Sequence, residues 1–181
     1  MPQWRHFNAP YSNCHADYTG KGIDQLTYII EQLKNPATRN SRRLIMSAWN
    51  PCQLEKMALP PCHVMCQFNV HDGNKLSCSL YQRSCDVGLG ASFNIASYAF
   101  LTHLLAKHCG LEAYEFIHFI GNAHIYEEHI EPMKQILDRI PLEFPTIEIL
   151  QSRENINDYQ VDDFKINNYT CNDVIKMKMV A

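Results

Sequence analysis

The stretch HVMCQFNVHDGNKLSCSLYQR, residues 63 to 83, constrains the fold more tightly than any other part of the chain. Val64, Cys66, Phe68 and Val70 alternate with polar residues, HDGN interrupts, and Leu76, Cys78 and Leu80 resume the alternation. A period of two over two short runs predicts a β-hairpin with one buried face. The same period puts Ser77, Ser79, Tyr81 and Arg83 together on the other face, so Arg83 points away from the Leu76, Cys78 and Leu80 side.

The buried face needs a partner layer, and the flanking pattern supplies one. Ile23, Leu26, Ile29, Ile30 and Leu33 recur at helical spacing until Asn35-Pro36, which predicts an amphipathic helix over 23–33. RLIMSAW, residues 43–49, is short, apolar and bounded by Arg and Pro, and reads as a buried strand. A long helix is expected from Asn94 to Cys109, with Gly110 as its C′ residue. Beyond it the pattern predicts a strand near 115–120, a helix near 127–138 and a strand near 146–150. Strands with intervening helices imply an α/β (α+β) domain around one mixed sheet, with no internal boundary.

At 181 residues such a domain buries most of its unfolded surface without staples. The eight cysteines, at 14, 52, 62, 66, 78, 85, 109 and 171, are therefore expected as free thiols of a soluble, cytoplasmic protein in a reducing compartment. No apolar run approaches membrane-spanning length, so no membrane partner is expected. The net charge of −3 argues against general nucleic-acid affinity, and RNA binding has no support in the sequence. An anion site in such a protein has to be a local arginine cluster.

Cys62 sits between Pro61 and His63, one hairpin before QRSCD. A guanidinium beside a thiol favours the reactive thiolate, and Arg83 is the nearest such group along the hairpin. A small buried hydrophobe is the commoner role for a cysteine, and from position alone both remain open for Cys62. A metal site from Cys62, His63 and Cys66 is set aside, because neighbouring strand residues face opposite ways and the paired Cys-x-x-Cys pattern is absent. Arg39, Arg42, Arg43 and Arg83, with Ser84, would suit one phosphate monoester, or else form a solvated face. Asn94 is by default a helix cap, or a carboxamide reading a pyrimidine edge. His124 and Tyr126 would share a face if their stretch is extended.

The order of these features carries a resemblance. RRLIMSAWNP, MALPPCHVMCQF, LSCSLYQRSCDVGLGASFNIASYAFLTHLLA, GNAHIYEEHIEP, and FKINNYT followed by IKMKM closely resemble thymidylate synthase, nearly continuously from Gln3 to Ala181. That resemblance implies the reductive methylation of dUMP to dTMP, with 5,10-methylenetetrahydrofolate giving the one-carbon unit and the hydride. It implies a mixed sheet packed with helices and dimerising through the sheet, no metal, and Cys62 as the nucleophile that adds to C6 of the uracil ring. Arg83 and Ser84 would hold the phosphate, and Arg83 would also activate Cys62. Arg42 and Arg43 would reach the neighbouring subunit's pocket in an obligate homodimer with shared sites. Asn94 would bind the uracil edge, His124 and Tyr126 the ribose, and Asp86, Gly90 and Phe93 the folate. His63 and Gln82 would join the polar network around the ring.

The sequence departs from the family in places. The chain begins at QWRHF, which in the family lies well inside the protein, after an arginine phosphate loop, a proton-organising glutamate and folate-facing tryptophans. ASFN replaces the usual Val-Pro before Phe-Asn, Asn122 stands where Asp is common, and YTCNDVIKM stands where Pro-His-Pro is usual. Two accounts of the start differ in class: a segment of a longer enzyme, with a fused or covalently linked N-terminal region, or a truncated nucleotide-binding relative with little catalysis; the sequence is silent on any fused dihydrofolate reductase. A third keeps catalysis with water in place of hydride, as in pyrimidine nucleotide hydroxymethylases. Asn94 favours uracil over cytosine in each.

Overall fold

The computed structural model describes residues 5–7 and 16–180; Cys14, Gln3 and Ala181 lie outside them. In chain order the elements are β1 (His6–Phe7), β2 (Ile23–Asp24), α1 (Gln25–Lys34), β3 (Ile45–Ser47), a 3-10 turn (Pro51–Lys56), β4 (His63–His71), β5 (Lys75–Asp86), α2 (Gly90–His108) and β6 (Glu112–His124). A 3-10 turn (Glu127–His129), α3 (Ile130–Leu137), β7 (Thr146–Ile149), two more 3-10 turns and β8 (Phe164–Asn167) follow.

The hairpin forms as its alternation requires. β4 and β5 pair antiparallel, with Cys66 opposite Leu80, Phe68 opposite Cys78 and Val70 opposite Leu76. Asp72 (φ 49°) and Gly73 (φ 84°) both take the left-handed conformation that a tight hairpin turn demands. β3 adds to β4 antiparallel and β6 to β5 parallel, giving a mixed four-stranded sheet in the order β3-β4-β5-β6. A parallel neighbour needs a crossover, and α2 provides it.

α1 and α2 cover one face of this sheet. Ile29, Ile30 and Leu33 from α1 meet Leu44, Met46, Cys66, Phe68, Leu76, Cys78 and Leu80 from the sheet side and Tyr98, Leu105, Ala106 and Cys109 from the α2 side. Each fully buried Leu or Phe side chain here contributes about 1.5–3 kcal/mol. The other face carries Ile45, Tyr81 and Phe119, 40%, 45% and 57% exposed. Ser77 on that face is buried all the same, because its hydroxyl sits against His71 Nε2 at 2.7 Å.

Several boundaries differ from the sequence reading. Ile23 lies in β2 and is exposed, and Asp24 caps α1 by accepting from the Thr27 amide at 3.0 Å. The strand expected at 43–49 shortens to β3, while that at 115–120 lengthens into β6, which follows the whole of β5. The helix expected at 127–138 divides into a 3-10 turn and α3. α2 starts at Gly90 rather than Asn94, so Asn94 is not a cap. The start is set by Asp86, whose Oδ1 accepts from the amides of Gly88 (2.9 Å) and Leu89 (3.4 Å). As expected, Gly110 (φ 69°) follows the helix in the left-handed conformation.

Candidate active site

Two prolines in succession offer two carbonyls and no N–H, so the chain before Cys62 cannot be held by strand pairing. Arg83 holds it instead. Its Nη2 donates to the Pro60 carbonyl at 2.8 Å and its Nε to the Pro61 carbonyl at 3.0 Å. The same Nη2 lies 3.9 Å from Cys62 Sγ, and the guanidinium sits over the Trp49 ring at 5.7 Å. The Arg83 amide also donates to the Cys62 carbonyl at 2.9 Å. Arg83 is half-buried and, among the described residues, has no carboxylate partner, so its charge is available to a thiolate or to a bound anion.

The other thiols behave differently. Cys66 and Cys78 are fully buried, and a hydrogen bond between them, with burial, pushes the Cys66 thiol well up. Burial takes Cys109 up to about 11, and burial with the nearby charges of Asp86 and Cys62 raises Cys85. These are inert core thiols. Cys62 alone is half-buried with a guanidinium beside its sulfur, and all seven described cysteines are free.

A register shift between His63 and Met65 brings His63 opposite Gln82, on the covered face of the sheet. Bulges of this kind re-aim side chains. His63 there meets Tyr98 edge to face at 5.2 Å and hydrogen-bonds Asn94. Gln82, 2% exposed, donates through Nε2 to the Ser84 carbonyl at 2.8 Å and to Asn94 Oδ1 at 2.9 Å. Its Oε1 lies 2.9 Å from His118 Nε2, which must carry the proton, since the amide oxygen can only accept. Burial lowers His63 and His118 from the usual imidazole value; for His63 the Asn94 bond opposes this and the His118 charge adds to it. Asn94 and His63 line a cavity of about 1100 Å³ with Tyr98, Met46 and Leu101. Cys62 and Arg83 are not among its lining residues.

Asp86 ends β5, and His124 opposite it ends β6. His124 Nδ1 lies 3.1 Å from Asn122 Oδ1, and the His124 and Tyr126 rings meet edge to face at 5.2 Å. His129, fully buried, packs against Tyr126 at 5.6 Å and donates through Nε2 to the Lys178 carbonyl at 2.7 Å. Its Nδ1 faces Asp86 Oδ1 at 3.8 Å. The tail thus lies against the loop that follows β5, held also by Arg139 donating to the Asp173 carbonyl at 2.6 Å. Asp86 keeps its second oxygen for a donor, Gly90 adds no side chain beside Asn94, and Phe93 is 76% exposed.

Arg42 and Arg43 are exposed. Gln67, which donates to the Arg42 carbonyl at 3.2 Å, is separated from Cys62 by five strand positions, about 17 Å of extended chain. Arg39 is a structural residue, reaching the carbonyls of Gly73 and Lys34 at 3.4 and 3.5 Å. No group of three or more His, Cys, Asp or Glu gathers to hold a metal among the described residues, and none of their helices is long and apolar enough to cross a membrane.

The family model described as thymidylate synthase matches residues 1–181. The chain belongs to the thymidylate synthase family. It is 54% identical over 179 residues to a thymidylate synthase of Human herpesvirus 8, covering 99% of this chain and 52% of that protein. It is 50% identical over 186 residues to the thymidylate synthase of Saccharomyces cerevisiae, covering 98% of this chain and 60% of that one. A bifunctional dihydrofolate reductase-thymidylate synthase of Plasmodium chabaudi is 52% identical over 179 residues, 99% of this chain and 30% of that protein. The chain therefore spans between about a third and three fifths of these relatives' lengths.

Within a thymidylate synthase framework, the structure gathers Cys62 with Arg83, and His63 with Gln82 and Asn94, while Arg42 and Arg43 stay apart. The sequence reading missed His118, His129 and Trp49. His118 was findable, since β6 residues of one parity run alongside Leu80 and Gln82 once β6 is known to be parallel to β5. His129 carried no local signal, because its partner is 49 residues away in the tail.

Proposed function

We propose that the chain carries the nucleotide-methylating centre of a thymidylate synthase, acting on dUMP with 5,10-methylenetetrahydrofolate. The observation that carries this reading is the Arg83 guanidinium held between the Pro60 and Pro61 carbonyls and the Cys62 sulfur. The Cys62 thiolate adds to C6 of the uracil ring, C5 gains nucleophilic character, and Cys62 is expelled when the C5 substituent is complete. Arg83 stabilises the thiolate and, with Ser84, neutralises the 5′-phosphate. Asn94 binds the base edge, Gln82 and His63 hold Asn94, and His124 with Tyr126 takes the ribose hydroxyl. Asp86 would accept from the pterin ring, beside Gly90 and Phe93; the folate supplies the one-carbon unit and the hydride. Proline stiffness before Cys62 serves this chemistry, because a nucleophile misplaced by about an ångström loses on the order of a hundredfold in rate.

The same reading makes the protein a homodimer. Arg42 and Arg43 lie too far along the sheet to serve their own Cys62, and the uncovered face bearing Ile45, Tyr81 and Phe119 suits a second copy. Each pocket then borrows the pair from its neighbour. Free thiols throughout the described chain fit a reducing, cytoplasmic compartment. A linked N-terminal region carrying the family's arginine loop and glutamate would supply further phosphate contacts and acid–base groups. Release of tritium from [5-³H]dUMP on addition of methylenetetrahydrofolate tests the reading, and the product mass separates a methyl from a hydroxymethyl group. No release by the chain or by a longer polypeptide containing it contradicts the proposal.

A further inference from the structure

We propose that the groove between α1 and the 3-10 turn at Ile156–Asp158 binds a linear aliphatic polyamine, with its ammonium groups set along Glu31, Glu154 and Asp158. The groove encloses about 430 Å³. Thr27, Ile30, Glu31 and Lys34 stand at i, i+3, i+4 and i+7 on α1 and form one wall, and the segment 154–158 forms the other. Seven residues of helix make that wall about 10 Å long. Glu31, Glu154 and Asp158 make no ion pair among the described residues. Arg5, at one end, is matched by Asp24 at 2.9 Å, which leaves the Lys34 ammonium alone against the three carboxylates. α1 ends at Lys34 and α2 at His108, and both residues line the groove, so the negative ends of two helix dipoles add to its field. The charge favours a cation.

His108 makes the groove a polar site below its rim as well. It is 9% exposed, and its Nδ1 is buried without a hydrogen-bond partner. The Tyr159 ring meets it edge to face at 5.8 Å, and the Tyr159 hydroxyl is likewise buried and unpartnered. Buried polar atoms are nearly always paired, so two neighbouring orphans mark a place where a ligand's donor belongs. Burial and the Lys34 charge hold His108 toward the neutral form, in which one ring nitrogen accepts from an ammonium instead of repelling it. A compact metal ion is poorly served here, because no three His, Cys, Asp or Glu side chains converge on one point among the described residues. A chain of ammonium groups spaced by methylenes meets dispersed carboxylates one at a time. Ile30 and Ile156 offer the methylenes an apolar strip.

None of Cys62, Arg83 and Asn94 lines this groove, so the test is independent of the nucleotide reading. Calorimetry of the chain with spermidine, and separately with magnesium chloride at the same ionic strength, should give one spermidine site with an affinity about tenfold or more above that for magnesium. Spermidine should also shift the NMR signals of the His108 ring. Glu31→Gln combined with Glu154→Gln should weaken spermidine binding by about tenfold or more, because charge-assisted hydrogen bonds are lost. Glu143→Gln combined with Glu148→Gln removes the same charge from exposed positions outside the groove, and should leave the affinity within about twofold of the parent. Absence of binding at millimolar spermidine would overturn the proposal. So would equal affinity for magnesium, or equal losses in the two double variants, since either result means diffuse attraction to an acidic surface.

Discussion

Arg83 Nη2 stands 3.9 Å from Cys62 Sγ while the same guanidinium fastens the carbonyls of Pro60 and Pro61. One side chain therefore both fastens the chain that leads into Cys62 and sets a cation beside its sulfur. Replacing Arg83 by Met should slow alkylation of Cys62 by iodoacetamide by about tenfold or more at neutral pH, with Arg83→Lys intermediate, because an ammonium restores charge but not the fork. Peptide-resolved mass spectrometry distinguishes Cys62 from the exposed Cys52 and Cys171. An unchanged Cys62 rate in Arg83→Met contradicts this assignment.

Arg42 and Arg43 give the proposed dimer a functional test. Arg43→Glu and Cys62→Ser dimers should each be inactive in the complete enzyme, and mixing them should restore activity through hybrids in which one pocket holds both intact residues. Subunit exchange verified by mass without recovery would place both arginines outside the site.

How much of this was legible beforehand depends on the range of the interaction. The hairpin was readable because alternation is local and the period is two, and Gly110 because a C′ position calls for positive φ. The start of α2 was misread because Asn94 looks like a cap. The Asp86 carboxylate, four residues before Gly90, does that work from the preceding strand. Cys62 was identifiable only as one of two kinds of thiol until the resemblance ranked it, since the guanidinium beside it comes from Arg83, 21 residues away. His118 and His129 depend on the parallel crossover and on the tail, which no local pattern encodes.

The tail contact is open to a direct check at Gly88. A Cβ at this residue would meet His129 Nδ1 at 2.6 Å, in a ring that is fully buried. Gly88→Ala should displace His129 from the Lys178 carbonyl, destabilise the fold by about 1–3 kcal/mol and speed tryptic cleavage after Lys176 and Lys178. Cleavage at the parent rate would mean that His129 does not hold the tail.

Stability should fall on mild acidification. Burial lowers His63, His108 and His118 from 6.5, with the Lys34 charge adding to the effect on His108. The unfolded chain then binds more protons than the folded one as pH drops below 6.5. The stability contributed by keeping these rings neutral is complete above 6.5 and is lost as pH falls through their folded values. Carboxylates titrate mostly below this window. The melting midpoint should therefore decrease between pH 8 and pH 5.5, and a flat or rising midpoint contradicts the account.

The most direct measurement of the central claim is the mass of the chain, or of a longer polypeptide containing it, after incubation with 5-fluoro-dUMP and methylenetetrahydrofolate. A fluorine at C5 blocks the last proton loss, so the Cys62 adduct cannot break down. The account predicts a covalent complex of nucleotide and folate on the peptide bearing Cys62, absent from Cys62→Ala. No adduct, or one carried by another cysteine, would show that Cys62 is not the nucleophile.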